Sequence, residues 1–198
     1  QSFVNSKQRR VPVSLDAPVF TLTHAMGFKG VLGGEYNFNR TEASIWKRFW
    51  LPASWGKIDC SVKAGAEWNT VPFPLLILPE ANLSYITQRE TFCLINNMEF
   101  LNDRFASMSI SYDMNGKLFN RIPLLKNLKW REMFRVRALW GTLTDKNNPF
   151  KSSNPDLFRF PTRDGKFTSF VMDPKVPYVE ASVGIYNIFK LLHVEYVH

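Results

Sequence analysis

The segment from Lys57 to Trp68, KIDCSVKAGAEW, alternates between apolar and polar side chains along its whole length. Its apolar positions are Ile58, Cys60, Val62, Ala64, Ala66 and Trp68, and its polar positions are Asp59, Ser61, Lys63, Gly65 and Glu67. Because successive side chains of a strand point to opposite faces, the pattern predicts a β-strand with one apolar and one polar face. Its length is close to that of a tilted membrane-spanning strand, about 9–11 residues.

Other segments repeat this extended pattern, and together they predict seven antiparallel strands, the last of them short. The other six are Val19–Met26, Glu35–Leu51, Phe105–Asn115, Arg131–Thr144, Tyr178–Ile188 and His193–His198. Glu35–Leu51 changes parity near Arg40, which indicates either a β-bulge or a weaker pattern. Thr91–Phe100 is extended in character but ambiguous in parity.

The connections between the predicted strands alternate between short and long. Pro52–Gly56 and Phe189–Leu192 are short, whereas Asn69–Glu90 and Asp145–Pro177 are long and rich in proline. Outer-membrane barrels have short periplasmic turns and longer outer loops. The basic and apolar connection Gly116–Trp130 then lies on the periplasmic side, where we expect a short helical turn at the headgroup layer.

Charged residues occupy the middle of several predicted strands. Lys63, Glu67, Arg135, Arg137 and Glu180 all fall on the polar faces of their strands. A dry protein core disfavours unpaired charges, so these residues are predicted to face a water-filled lumen.

Tryptophans cluster near the predicted strand ends. Trp46, Trp50, Trp55 and Trp130 lie near the proposed periplasmic side, and Trp68 and Trp140 lie near the opposite side. Two bands of aromatic residues are typical of the interfacial girdles of membrane barrels. We therefore interpret these six residues as girdle candidates.

Composition and motifs argue against several other classes of protein. The net charge is +8, but Lys and Arg form no long run, so nucleic-acid binding is not favoured. The two cysteines form no CxxC pair, which disfavours a disulfide scaffold or a zinc site. His24, His193 and His198 accompany no Gly-x-Ser-x-Gly nucleophile motif. We expect no enzymatic activity, no cofactor and no bound metal.

The fold class predicted from these patterns is all-β, an antiparallel transmembrane β-barrel in the bacterial outer membrane. A soluble β-sandwich also alternates, with its polar side in water, and it remains the competing fold. Single-chain bacterial barrels have an even number of strands. We therefore expect residues 1–198 to be an incomplete, C-terminal part of one barrel domain that lacks its last strand, the remaining strands being supplied by the same protein.

Five segments carry a resemblance to a known family. They are PVFTLTHAMGFKGVLGGEYNFNRTE, FWLPASWGKIDCSVKAGAEWNTVPFPLLILPEANLSYI, NNMEFLNDRF, NGKLFNRIPLLKNLKWRE and PYVEASVGIYNIFKLLHVEYV. Together they resemble the C-terminal barrel of an outer-membrane family of unknown function in Bacteroidota, whose members place a carboxypeptidase-regulatory-like domain before the barrel. That family is distantly similar to the surface-antigen superfamily of barrel-assembly and two-partner-secretion proteins. The resemblance implies a 16-stranded barrel with this chain in its last third.

The loop Asn69–Glu90 departs from the superfamily pattern. Assembly barrels carry a Val-Arg-Gly-aromatic motif in the loop that folds into the lumen, and no such motif occurs here. The loop offers Phe73, Leu75 and Leu76 instead, with Arg89 nearby. Two arrangements are open: the loop folds inward and braces the lumen, or it lies on the outer rim or in a protein contact.

By family analogy, the expected function is outer-membrane biogenesis or protein transport within a larger complex. The alternative is a passive barrel that anchors a periplasmic or surface domain, or a pore. A soluble all-β binding domain forms a third class. The expected partners are the lipid bilayer, lipopolysaccharide, the remaining barrel strands, and other outer-membrane proteins or lipoproteins.

Overall fold

Alternating side chains produce one large antiparallel sheet. A computed structural model of the chain describes residues 3–5, 10–12, 17–84, 86–88, 90–151 and 154–198. Its seven-stranded sheet has the order β11-β10-β7-β6-β5-β4-β3. The strands are β3 Val19–Gly27, β4 Phe38–Trp50, β5 Lys57–Glu67, β6 Arg104–Asp113, β7 Arg131–Thr142, β10 Tyr178–Ile188 and β11 Leu192–Val197. The predicted all-β antiparallel class is confirmed.

Smaller elements accompany the sheet. Two short strand pairs lie outside it: β1 Phe3–Asn5 with β2 Arg10–Pro12, and β8 Thr162–Arg163 with β9 Lys166–Phe167. Helical structure in the described residues is limited to α1 Pro123–Leu128 and the 3₁₀ turns Phe73–Leu75, Phe119–Arg121 and Asp145–Asn147. The short helix expected in the connection Gly116–Trp130 is therefore present. It begins with proline at its first position and ends at Leu128, and the following residue, Lys129, has a left-handed φ of 55°.

The strand pairing decides two points that the sequence pattern left ambiguous. The pairing of β4 runs without interruption through Arg40, which faces Ala25 on one side and Glu67 on the other, so there is no bulge there. The sheet instead has its irregularity in β10, between Ile185 and Ile188. The segment Thr91–Phe100 is not a strand, since it contributes only isolated bridges at Phe92 and Phe100.

The sheet is open within the described part of the chain. β3 and β11 form its two edges, and each pairs with a single neighbouring strand. The finer prediction of a closed barrel is therefore not seen in these residues.

The two faces of the sheet have the reverse of the burial found in a soluble protein. Residues that face each other across neighbouring strands share a face, so the register places Val62, Met108 and Ala138 in one apolar row. On this face Val62 is 46% exposed and Val183 is 51% exposed. On the opposite face Arg137 is 1% exposed. The charged face is thus covered around Arg137, while Val62 and Val183 on the apolar face are exposed.

The buried apolar core lies between the polar face and the long loops. One cluster consists of Val71, Leu76, Leu101, Leu143 and Phe160. A second consists of Phe92, Ile95, Leu139 and Met172. Most of these residues come from the loops 68–103 and 143–177, and Leu139 comes from β7. Each fully buried side chain of this size contributes about 1.5–3 kcal/mol, so the loops are held firmly on the sheet.

The connections alternate between the two ends of the sheet, and the two turns that the sequence predicts to be short lie at the same end. Residues 51–56, 114–130 and 189–191 meet there, and 114–130 is longer than the connection 28–37 at the opposite end. There Lys117 Nζ donates to the carbonyl oxygen of Ala53 at 2.8 Å, and Asn187 Nδ2 donates to that of Lys129 at 2.7 Å. Gly56 has a φ of +87°, and a Cβ there would lie 1.8 Å from the Asp113 carbonyl oxygen, so this turn requires glycine.

Candidate functional site

The candidate site is the covered polar face of the sheet together with the loop 68–103 that lies on it. Four of the five charged residues predicted for a lumen are almost fully buried here. Glu67, Arg137 and Glu180 are 1% exposed and Arg135 is 3% exposed, whereas Lys63 is more open. The strands bring these side chains to one face, because Arg137 pairs with Glu180 and Arg135 pairs with Ser182 across β7 and β10.

Glu180 joins the sheet to the loop. Its carboxylate accepts main-chain N–H groups from Cys93 at 2.9 Å and Leu94 at 2.8 Å, and the Tyr178 hydroxyl at 2.9 Å. Arg137 Nη1 lies 3.4 Å from Glu180 Oε2, and Arg137 Nη2 donates to the Gln88 carbonyl oxygen at 3.4 Å. A buried charge is tolerated only when it is paired and hydrogen-bonded, which these contacts provide.

A second attachment lies at the beginning of the loop. Glu67 Oε1 accepts the main-chain N–H of Asn39 at 3.0 Å and that of Asn69 at 3.2 Å. Arg40 Nη2 donates to the Leu75 carbonyl oxygen at 2.6 Å, and Arg40 Nε lies 3.9 Å from Glu67 Oε2. Charged groups on β4 and β5 thus hold both the start of the loop and its first 3₁₀ turn.

The apolar run of this loop lies over the polar face. Leu76 and Ile77 are buried, and Phe73 and Leu75 pack against the cluster around Leu76. Leu78 is exposed at the end of the run. Arg89, the fourth residue predicted to act with this loop, lies outside the described residues.

Lys63 makes more solvent-exposed contacts with the same loop. Its Nζ lies 2.8 Å from Glu80 Oε1 and 3.1 Å from Glu90 Oε2. Both carboxylates are at least half exposed, so this interaction is weaker than the buried pair at Glu180.

Arg135 binds the edge strand. Its Nη1 lies 3.0 Å from Glu195 Oε1, and the Ser182 hydroxyl donates to the same carboxylate oxygen. His193 Nε2 lies 3.6 Å from Glu195 Oε2. The two side chains of the Arg135–Glu195 pair are each 2% exposed, so this pair fixes β11 to the rest of the sheet.

The register divides the predicted girdle residues between the two faces. Trp46 faces Ser61 and Trp50 faces Lys57, which places both on the polar face, and the Arg48 guanidinium lies 5.3 Å and 5.6 Å from their rings. A girdle position facing lipid does not fit this placement.

The other four tryptophans are elsewhere. Trp140 faces Ala106 on the apolar face. Trp68 donates through Nε1 to the Thr41 hydroxyl at 2.9 Å, also on the apolar face. Trp55 lies in the turn 51–56, and Trp130 precedes β7 and is half-buried.

A buried polar cluster that the sequence patterns did not indicate connects the two long loops. Asp103 is fully buried and accepts hydrogen bonds from the Thr144 N–H at 3.1 Å, the Thr144 hydroxyl, and Asn147 Nδ2 at 2.9 Å. Asn147 Oδ1 accepts the Val71 N–H at 2.9 Å. Asp103 follows an Asn in an irregular segment, where no periodic pattern marks a buried residue. The turn-forming stretch Asp145-Lys146-Asn147 was the available signal for this cluster.

Two cavities lie on the polar face beside the loops. One of about 360 Å³ is lined by residues that include Arg40, Glu42, Leu76 and Phe105. The other, of about 500 Å³, is lined by residues that include Asp59, Asp113, Arg131, Arg135 and His193. The lining of the first cavity is mostly apolar, whereas charged and polar side chains predominate in the lining of the second.

The described residues present few features of a catalytic or metal site. No group of three or more His, Cys, Asp or Glu side chains in this part of the chain is arranged to hold a metal ion. Among the residues whose positions are described, no helix has the length and apolar character needed to cross a membrane. His24 Nδ1 lies 2.9 Å from the Thr41 hydroxyl oxygen, on the apolar face and far from the Glu180 cluster in the sheet.

A protein-family model matches most of the chain. The model described as "Family of unknown function (DUF5686) C-terminal domain" matches residues 1–151, a range that contains β1 to β7 and the loop 68–103. Neither a curated protein nor a solved structure matches the chain.

Proposed function

The chain belongs to the family of unknown function described as DUF5686 C-terminal domain, and we propose that it forms part of a β-barrel in the bacterial outer membrane. The observation that carries the proposal is the reversed burial of the sheet. Val62 and Val183 are about half exposed while Arg137 and Glu180 are buried. Lipid-facing strands require an apolar outer face and tolerate a polar interior.

The open edges of the sheet indicate that further strands pair with it. Unpaired backbone groups of β3 and β11 cannot face hydrocarbon, because each one would lose its hydrogen bonds to water. We propose that strands from elsewhere in the same protein pair with both edges and close a barrel of about 16 strands. In this proposal the protein is a Bacteroidota protein with a carboxypeptidase-regulatory-like domain before the barrel.

Within that barrel, the proposed role is outer-membrane biogenesis or protein transport as part of a larger complex. The loop 68–103 lies on the face that becomes the lumen, where assembly barrels of the resembling superfamily also place a loop. Here Glu180 and Arg137 hold the loop in place of the Val-Arg-Gly-aromatic motif. Lipopolysaccharide would contact the outer leaflet part of the barrel, and other outer-membrane proteins or lipoproteins would be its partners.

The second candidate is a passive anchor for a periplasmic or surface domain. The observation that favours an anchor is the complete burial of loop side chains: Val71, Leu101 and Asp103 are all fully buried. A firmly docked loop suits a static brace better than an open conduction path, so an anchor is favoured over a pore.

Membrane fractionation of the intact protein tests the barrel. We expect it in the outer membrane, resistant to alkaline extraction, with a heat-dependent shift in electrophoretic mobility. Recovery in the soluble fraction without detergent would support the soluble all-β binding domain instead and overturn the proposal.

Depletion in cells separates the two roles. A biogenesis or transport role predicts lower levels of other folded outer-membrane proteins or of surface lipoproteins, and co-purification of the affected proteins. An anchor predicts that only the domain attached to the barrel is mislocalised.

A further inference from the structure

We infer that the end of the sheet with the short connections is a binding surface for anionic phospholipid headgroups. We call it the short-connection end, and it comprises residues 51–56, 114–130 and 189–191. The inference rests on the proposed membrane location and adds to it a lipid class and an orientation. Three independent features of this end support it: its charge, its exposed apolar side chains and its fixed shape.

The charges of the chain are distributed unevenly between the two ends of the sheet. The short-connection end contains five cationic residues and no Asp or Glu, and the exposed Arg131 follows directly. The five are Lys117, Arg121, Lys126, Lys129 and Lys190. The connections at the opposite end, residues 28–37, 68–103 and 143–177, contain nine acidic and eight basic residues. The positive net charge of the protein is therefore concentrated where the short connections meet.

Exposed apolar side chains lie among these cations. Leu124 is 75% exposed, Phe189 is 77% exposed and Leu191 is 88% exposed. Ile122, Leu128 and Leu118 are between 42% and 49% exposed. A surface that offers both apolar side chains and cations fits the boundary between acyl chains and phosphate groups. A free phosphate ion would use only the cations and would leave the leucines in water.

The three connections are held together as one surface. Phe119 N–H donates to Glu132 Oε1 at 2.6 Å, which fixes the 3₁₀ turn to the start of β7. Lys117 Nζ lies 5.1 Å from the Trp55 ring centroid, besides its bond to the turn 51–56. Asn187 holds the carbonyl oxygen of Lys129. Since these contacts restrain the backbone, the four exposed cations Arg121, Lys126, Lys129 and Lys190 stay on one side of the molecule.

Charge complementarity selects the occupant. The exposed cations of this end attract an anionic lipid surface, and each Lys or Arg close to such a surface adds measurably to binding. The lipid is therefore an anionic phospholipid, for which phosphatidylglycerol is the probe. With the proposed orientation, this end faces the periplasmic leaflet.

The test reconstitutes the intact protein in vesicles of phosphatidylcholine with spin-labelled phosphatidylglycerol or spin-labelled phosphatidylcholine. We expect a preference for the anionic label of about fivefold, the amount that one cation near an anionic surface supplies. A combined variant should bind the two labels about equally, because it lacks the exposed cations. Its substitutions are Arg121→Gln, Lys126→Gln, Lys129→Gln and Lys190→Gln. The matched control replaces the exposed cations Lys151, Arg163, Lys166 and Lys175 with Gln at the opposite end of the sheet and should keep the preference.

The outcomes separate this inference from the proposed function. A protein that inserts but shows no preference, or that keeps its preference in the four-residue variant, overturns the inference and leaves the barrel intact. A protein that inserts into no vesicle overturns the barrel proposal as well. If the variant does not fold, salt titration of the unmodified protein decides, since electrostatic lipid binding must weaken as salt rises. A further outcome is that the four-residue variant loses an acidic co-purifying protein while its lipid preference stays unchanged. That result would mean that this surface binds a protein, and it would overturn the inference.

Discussion

Arg137 Nη1 lies 3.4 Å from Glu180 Oε2, and the two side chains are 2% and 1% exposed. The residues face each other across β7 and β10, and Glu180 also binds the loop through the Cys93 and Leu94 N–H groups. One carboxylate therefore neutralises a cation of the sheet and holds the loop 68–103 on the polar face.

Replacing Glu180 with Gln should destabilise the protein strongly. The amide keeps the size of the side chain but removes the negative charge beside the buried Arg137 guanidinium, a change that typically costs about 3–5 kcal/mol. The free energy of unfolding, measured by urea denaturation in detergent micelles, gives the value.

Lys63→Met is the control for that substitution, because Lys63 pairs with two carboxylates that are at least half exposed. Its effect should not exceed about 1 kcal/mol. Equal losses for the two variants would show that the Arg137–Glu180 pair has no special role.

A lysine at Val62 should be poorly tolerated in a bilayer. Val62 lies between Ile45 and Met108 on the apolar face. A lysine near the bilayer midplane costs about 2–4 kcal/mol, whereas at a half-exposed site in water it would change stability by less than about 0.5 kcal/mol. Folding into vesicles followed by denaturation measures the difference.

The control for Val62→Lys is Leu83→Lys, in the loop 68–103, where the side chain is 72% exposed. It should fold as the unmodified protein does. If Val62→Lys behaves like Leu83→Lys, the apolar face does not contact lipid.

Asp103→Asn should loosen the contact between the two long loops. An amide nitrogen would then face the Thr144 and Asn147 donors, and a buried donor without an acceptor costs about 1–3 kcal/mol. Hydrogen exchange should increase at Val71 and in residues 143–147 while the central strands remain protected.

The same substitution at Asp145 is the matched control. Its side chain is 79% exposed and pairs with Lys151 at 3.3 Å, so exchange in the loops should stay unchanged. An equal response at both positions would mean that Asp103 does not connect the loops.

The two cysteines should react differently with thiol reagents. Cys60 lies on the apolar face beside Ile110, whereas Cys93 lies on the polar side near Arg137. In membranes, a Cys93→Ser variant should react with a lipid-soluble maleimide and resist a charged thiosulfonate. Rapid reaction of Cys60 with the charged reagent would place this face in water.

The strands were predictable because alternation is a local property of the chain. In β5 the polarity of each residue indicates which face of the sheet its side chain occupies. The predicted strand Lys57–Trp68 ends one residue beyond the observed strand. The covering of Arg137 and Glu180 by the loop depends on contacts between residues that are far apart in sequence, so no local pattern encodes it.

The placement of Trp46 and Trp50 shows where a prediction from the polarity of single side chains fails. The apolar side chains of Trp46 and Trp50 suggested a lipid-facing position, but they stack on Arg48 on the polar face. An arginine two residues from each tryptophan on the same strand was the available signal, because such residues share a face.

Pairing between strands that are neighbours in the chain has a consequence for how the sheet assembles. The hairpin joining Trp50 to Lys57 can form without waiting for a distant segment, so its loop-closure entropy is small. Pairing of β5 with β6 and of β7 with β10 costs more, because each must close a loop of more than thirty residues. Assembly can then proceed stepwise along the chain, one ribbon after another. The loops 68–103 and 143–177 can dock only after β5 to β10 are in place. Docking of these loops is therefore the last step of folding.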